Sequence, residues 1–143
     1  GTYKKAHCHG PSAHVIILSG EGFSLMWHEG QEPQRFDWQV GTLIVPPNRM
    51  FHQHFNTGAA PARYLAFKHE VAGSLRNSQG VPLAWISQRI GGDQIDYADE
   101  TPEIRSMFAD ALARHSVTPK MDDAYAAELA DLPPKLPQSE AAE

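Results

Sequence analysis

Two short histidine clusters carry the clearest chemistry in this sequence. They are His7-Cys8-His9 near the start and His52-Gln53-His54 in mid-chain. Side chains alternate along a β-strand, so the two imidazoles of an H-x-H cluster on a strand share one face. Two such strands facing each other could hold one metal ion through three or four ring nitrogens. The chain must therefore supply strands that bring the two clusters together.

The composition is that of one globular domain. Of the 143 residues, 41% are hydrophobic and 20% are charged, so we expect a folded core. The net charge is −5 and the longest basic run is Lys4-Lys5, which argues against a nucleic-acid partner. Apolar runs such as residues 15–18 are too short to cross a membrane. One cysteine leaves no internal disulfide, which favours a cytoplasmic protein.

Short apolar runs alternate with turn residues across residues 13–69, and this pattern predicts an all-β sandwich or barrel. Glycine, proline and asparagine supply the turns, as in Gly20-Glu21-Gly22. We take residues 1–70 as the β core and residues 71–143 as an extension. The predicted strands are residues 13–19, 23–28, 34–38, 42–45, 50–55 and 63–67.

The extension has helical signals. Thr101-Pro102-Glu103 is typical of a helix start, with Thr101 as the N-cap, and apolar residues recur at helical spacing through about Arg114. Residues 121–132 predict a second, short helix. Residues 82–90 could form one more strand or an extended arm. The acidic, proline-containing end at residues 133–143 is expected to fray.

The residues around the two clusters form longer motifs. The first places His7 and His9 ahead of the turn Gly20-Glu21-Gly22, and the second reads Gly41-x5-Pro47-x-Arg49-x2-His52-x3-Asn56. These motifs resemble those of the cupin superfamily, and most closely the gentisate and salicylate 1,2-dioxygenase type. The resemblance covers about half the chain. It implies a double-stranded β-helix, the jelly-roll cupin barrel, here with a C-terminal helical extension.

The resemblance also implies a missing part and a partner. A cupin barrel normally has two or more strands before its first motif, whereas this motif begins at Gly1. We expect a longer chain or another chain to supply those strands, unless residues 82–90 fold back to complete the sheet. Because cupins are frequently dimers, we expect a homo-oligomer.

The metal ligands follow from the same resemblance. The usual cupin glutamate is absent, and its place falls on Ala13, or on His14 if the preceding loop is one residue longer. In the dioxygenase type that place is often alanine, and three histidines hold iron. The ligands would then be His7, His9 and His52, with His14 as a fourth for the longer loop. Fe(II) is the expected ion, and Mn, Ni, Co and Zn are alternatives.

Further residues are candidates for the substrate. His54 lies further along the same strand face as His52. Arg49 replaces the usual glycine of the second motif, and Arg63 begins a strand expected nearby, so either could hold a substrate carboxylate. The alternative for each arginine is a solvated or interface position. His54, Arg49 and Arg63 are therefore the candidate catalytic residues.

Several other residues could have either a functional role or a purely structural one. Trp27 and either Tyr64 or Phe67 could stack on an aromatic substrate, although core packing is the commoner role. Tyr64 and Phe67 are three residues apart, so only one of them can line a cavity. Gln53 stands where ring-cleaving relatives commonly have aspartate. The acidic run at residues 96–103 is typical of a solvated face.

The implied function is a metal-dependent cupin oxygenase, a non-haem Fe(II) dioxygenase that uses O2 to cleave an aromatic or dicarbonyl small molecule. Without a carboxylate ligand the metal site is more positive, which favours an anionic bidentate substrate. Two alternatives stay open. One is a cupin lyase, decarboxylase or isomerase that uses the metal as a Lewis acid, and the other is a non-catalytic module that binds a small ligand.

Overall fold

The computed structural model describes residues 1–11, 13–68 and 75–136, and here the strands form two antiparallel sheets. The first sheet has the order β1-β6-β3-β4 and the second the order β5-β2-β7. Two helices follow, so the prediction of a mainly β fold with a helical extension is confirmed. The elements are β1 (Thr2–Tyr3), β2 (Ala13–Ser19), β3 (Gly22–Trp27), β4 (Gln34–Trp38), β5 (Leu43–Ile44), β6 (Phe51–Asn56), β7 (Arg63–Lys68), α1 (Pro102–Arg114) and α2 (Asp122–Asp131).

The turn between β2 and β3 requires two glycines. Gly20 has φ +86°, in the left-handed region that favours glycine. Gly22 has no room for a side chain, because a Cβ there would collide with the carbonyl oxygen of Phe55 on β6. The close approach of β3 and β6 at this point sets their register, which pairs Ser24 with His54 and Met26 with His52.

The first sheet is covered on one face by the helical extension. Strict alternation on β3 and β6 sends Phe23, Leu25 and Phe55 into a buried cluster with Phe108 and Leu112 of α1. The other face of the same strands carries the even-numbered residues, including the histidines of the second cluster. The apolar face therefore anchors the sheet, and the opposite face is left for a site.

The second sheet contributes the opposing wall. Its inner face sends Ala13, Val15 and Ile17 of β2 into a second buried cluster with Met26 and Trp38 of the first sheet. The outer face leaves large apolar side chains exposed to solvent. These are Leu18 (55% exposed), Leu43 (56%), Leu65 (47%) and Phe67 (56%).

The segment at residues 82–90 is not a strand. Two short 3₁₀ helices occupy it, Leu83–Trp85 and Gln88–Ile90, and the Ser87 side chain accepts a hydrogen bond from the Arg89 amide at the start of the second. Pro82 cannot donate a backbone hydrogen bond to a neighbouring strand, and the Ser87 side chain favours a local one. No helix within the described residues is long and apolar enough to cross a membrane. The expected fraying at residues 137–143 and the position of His69 lie outside the described residues.

Candidate metal centre

The two histidine clusters lie side by side. The backbone of His7 pairs with that of His52, with N···O distances of 3.2 and 2.9 Å in the two directions. The Arg49 amide also donates to the His9 carbonyl oxygen at 3.1 Å. The sequence suggested two strands facing each other, whereas residues 7–9 form an irregular arm hydrogen-bonded along the edge of β6. The clusters meet because they are neighbours in one layer.

Three imidazoles converge at this junction. The ring centroids of His7 and His52 are 4.5 Å apart, those of His9 and His52 are 4.8 Å apart, and those of His7 and His9 are 5.6 Å apart. One nitrogen from each ring can be chosen so that all three lie within 4.8 Å of one another. Two nitrogens bound to one ion at about 2.1 Å are separated by about 3.4 Å in tetrahedral geometry. Ring rotations that shorten the longest separation would therefore bring His7, His9 and His52 onto a single ion.

Backbone carbonyl groups orient each of the three rings. The Nδ1 of His7 is 3.1 Å from the Lys5 oxygen, that of His52 is 3.0 Å from the Met50 oxygen, and that of His9 is 3.3 Å from the Pro11 oxygen. Since a carbonyl only accepts, each Nδ1 carries the proton and each Nε2 is left with its lone pair. This arrangement is typical of histidines that bind metal.

Burial keeps these rings neutral. It lowers the pKa of His52 to about 2, helped by the nearby His7, and it is also the main cause of the lowered pKa of His7. The pKa of His9 is lowered by burial and by the charge of Lys68. Metal binding requires unprotonated imidazole, so the site is in its ligand form at neutral pH without a proton to displace.

Ala13, rather than His14, lies beside the three histidines. Ala13 is buried and lines the same cavity as the three histidines, whereas His14 is exposed and pairs with Phe67 on β7. Strand alternation is the reason, because adjacent residues on β2 point to opposite faces. The structure does not bring His14 to the cluster, and the donor set that it assembles is three histidines.

His54 lies one step further along β6 on the same face as His52. Its ring centroid is 5.8 Å from that of His52, and its Nδ1 is 2.7 Å from the Ser24 hydroxyl oxygen on the paired strand. Burial lowers the pKa of His54 to about 4, with a further contribution from His7. Ser24 went unnoticed in the sequence because its position opposite His54 depends on the β3–β6 register. His54 is therefore a neutral imidazole next to the candidate metal position.

The two candidate arginines do not reach the site. Arg49 occupies the left-handed region at φ 62°, and its guanidinium donates to both carboxylate oxygens of Asp93 at 2.7 and 3.2 Å. Arg63 is exposed at the end of β7, where its backbone pairs with Ser19 after a register shift. Neither residue lines the cavity that contains the histidines, so the expected catalytic role is not supported for either.

The aromatic candidates divide as strand parity requires. Tyr64 faces the cavity and Phe67 faces solvent on the outer side of the second sheet. Trp27 packs in the core on the helical side and stacks on Phe51 at 5.8 Å. Cys8 lies in the same core, 2% exposed, and points away from the histidines. Tyr64 is thus the one of these four that could contact a substrate.

The three histidines open onto a cavity of about 420 Å³ between the two sheets, which we call the metal chamber. This volume is within the usual range for a small-molecule site. Lys4 and Lys68 lie on its walls, and the Lys4 amine donates to the Tyr64 hydroxyl at 3.2 Å. No described residue on the lining carries a carboxylate. The walls are therefore neutral or positive, which suits an anionic ligand.

The helical extension holds the arm that carries His7 and His9. The Lys5 amine lies 2.9 Å from an Asp96 oxygen and 2.6 Å from a Glu128 oxygen, and both carboxylates are buried. The Cys8 amide donates to the Asp93 oxygen at 3.1 Å. These contacts place residues 4–9 between β6 and the extension, and they explain how an irregular segment can present two ligands.

The acidic run at residues 96–103 is more than a solvated face. Glu100 is fully buried behind β6, where it accepts hydrogen bonds from the Gln53 amide at 2.6 Å and from the Tyr3 hydroxyl at 2.7 Å. Burial raises the pKa of Glu100. Gln53, between the two histidines of its cluster, therefore points away from the metal chamber and ties β6 to the extension.

The remaining histidines with described positions lie elsewhere. His28 is exposed in the turn after β3, and His115 lies 3.3 Å from Glu21 beyond the end of α1.

In comparisons with known proteins, no family model matches this chain and no curated protein matches its sequence. The functional argument therefore depends on the site itself.

Proposed function

We propose that this protein is a metal-dependent oxygenase of the cupin type, a non-haem Fe(II) dioxygenase that cleaves an aromatic or dicarbonyl small molecule. The observation that carries the proposal is the cluster of His7, His9 and His52, three neutral imidazoles whose Nδ1 atoms are all turned to backbone carbonyl groups. Three ligands on one side of an ion leave positions open for a chelating substrate and O2. The two antiparallel sheets around the site are what a jelly-roll fold would provide.

The choice of ion follows from the donor set. Neutral imidazole suits iron, zinc, copper and nickel, and histidine ligands with open positions suit Fe(II). Bound Fe(II) would supply electrons for oxygen chemistry and polarise a chelating substrate. Mn, Ni, Co or Zn would fit the same nitrogens.

The chain's own residues bind and orient the substrate. Lys4 and Lys68 attract a carboxylate or enolate into a chamber without negative side chains. Neutral His54, held by Ser24, can form a hydrogen bond to the head group of the substrate. Tyr64 lies across the chamber, and its ring centroid is 6.4 Å from that of His54. Tyr64 can therefore contact the ring of a substrate.

Oxygen consumption tests this function. The protein is loaded anaerobically with Fe(II) and mixed with salicylate-type hydroxy acids and β-dicarbonyl compounds in an oxygen electrode. We expect substrate-dependent O2 uptake that is abolished in His52→Ala. The matched control is His14→Ala, which removes a histidine from the exposed face of β2 and should keep the activity. Turnover under strict anaerobiosis would favour a lyase or isomerase instead, and chelation without any turnover would favour a binding module.

A further inference from the structure

A second cavity lies beyond the metal chamber, along the same strands. It has a volume of about 250 Å³, and we call it the tail chamber. Its walls are mainly apolar, with Ile17, Trp38, Ile44, Pro61 and Ala62 among the residues that line it. Among the described residues that line it, none carries a carboxylate, and His54 is the one histidine.

The two chambers adjoin at one ring of residues. Lys4, Val15, His54 and Tyr64 line both cavities. These four residues come from the N-terminal arm, β2, β6 and β7, so the boundary runs across both sheets. A ligand that extends from the metal chamber to the tail chamber passes this ring.

Strand β6 shows the order of the two chambers. His52 lies in the metal chamber, His54 at the boundary and Asn56 in the tail chamber. Each two-residue step along a strand is about 7 Å. The tail chamber therefore begins about 7 Å from the candidate metal position and extends to about 13 Å from it.

Strands β2 and β7 repeat this order from the opposite wall. On β2, Ala13 lies in the metal chamber and Ile17 in the tail chamber, with the boundary between them. Ala66 on β7 and Ala62 just before it take the corresponding places. On β2 a small residue therefore lines the polar end, where an ion and its ligand need room, and a branched residue lines the distal end, where contact with hydrocarbon is favourable.

We propose that the tail chamber is a specificity pocket for the apolar body of the ligand whose chelating head binds at His7, His9 and His52. This inference rests on the proposed metal site and names its ligand class, a chelating anion that carries a hydrocarbon chain or ring. The residues shared with the metal chamber are the reason to choose this occupant, since they place an apolar group in the tail chamber about 7 Å from a head group on the metal. A compact dicarbonyl would leave the tail chamber empty.

A chain-length series tests the proposal. Protein loaded with Co(II), which keeps its oxidation state in air, is titrated with acetohydroxamate, hexanohydroxamate and octanohydroxamate and followed by the cobalt absorption. Each methylene buried in the tail chamber should increase affinity about fourfold. The first methylenes of the chain only cross the boundary and gain nothing. Octanohydroxamate should bury about three methylenes in the tail chamber and should therefore bind roughly 60-fold more tightly than acetohydroxamate.

Two phenylalanine variants locate the effect. Ala62→Phe fills the tail chamber and should reduce the octanohydroxamate gain to less than about fivefold, while acetohydroxamate binds within about twofold of wild type. Ala59→Phe places the same side chain at an exposed position in the same loop and should keep the full gain. If Ala62→Phe does not fold, Ala62→Leu makes a smaller intrusion with the same expected direction.

The outcomes separate this inference from the proposed function. Acetohydroxamate binding without any gain for longer chains would overturn the tail chamber and leave the metal site standing. A gain that survives in Ala62→Phe, or that is lost equally in Ala59→Phe, would also overturn it. No cobalt response to acetohydroxamate in the wild type would refute the metal site, and the tail chamber would fall with it.

Discussion

Lys5→Met tests how the extension holds the metal-binding arm. The Lys5 amine is the shared cation of two buried carboxylates, at 2.9 Å from Asp96 and 2.6 Å from Glu128. Removing one partner of a buried ion pair costs about 3–5 kcal/mol of folding free energy. The Lys5 side chain is 25% exposed, and Glu128 keeps hydrogen bonds from two backbone amides. We therefore expect a loss of about 2 kcal/mol, which lowers the melting temperature by roughly 6 °C.

The assay is urea unfolding of the metal-free protein. Lys120→Met serves as the control because Lys120 is exposed and its amine has no ion pair within the described residues, so its loss should stay within about 0.5 kcal/mol. Glu128→Gln and the double variant complete a cycle, in which we expect a coupling energy of about 1 kcal/mol or more between Lys5 and Glu128. If Lys5→Met is as stable as the Lys120→Met control, the buried ion pair does not anchor the arm.

Two further predictions concern protons and the outer face. His54 has a lowered pKa of about 4, so below pH 6.5 the unfolded chain binds a proton that the folded chain resists. Between pH 6.5 and about 4, the stability that this histidine contributes should therefore fall by up to about 1.4 kcal/mol per pH unit. Urea unfolding of metal-free His54→Gln should show a slope shallower by that amount in the same window. An unchanged slope would contradict the burial of His54. Arg63→Ala removes an exposed side chain at the end of β7 and should change the acetohydroxamate dissociation constant by less than about twofold, as measured by cobalt absorption. A larger change would return Arg63 to the site.

Periodicity was enough to predict strands β2–β7 and both helices, whereas the two-residue strand β1 was not predicted. Residues 13–19 and 34–38 match β2 and β4 to the residue, because turn glycines and prolines bound short alternating runs. The start of α1 at Pro102 follows from threonine and proline in sequence. Residues 82–90 were harder to assign, since an apolar run without strict alternation fits a strand and a chain of 3₁₀ turns equally well.

The site was predicted in part. Strand parity alone separates Ala13 from His14 once β2 begins at residue 13, and the same rule places His52 and His54 on one face. Long-range partners leave no such pattern. The Glu100 side chain is buried and Lys5 is half-buried only because the extension packs against β6, and Arg49 reaches Asp93, far away in sequence. The spacing of residues along the chain cannot reveal which two charged side chains will pair in the folded protein.

Metal stoichiometry and affinity test the central claim most directly. Metal-free protein is titrated anaerobically with Fe(II), and bound iron is measured by elemental analysis after desalting. One ion per chain is expected, with affinity lowered more than about 100-fold in His7→Ala, His9→Ala and His52→Ala, because the loss of a ligand should exceed the 10–100-fold cost of losing an outer partner. His14→Ala should bind as the wild type does. Substoichiometric iron in the wild type, or equal retention in the His52→Ala and His14→Ala variants, would contradict a three-histidine metal centre.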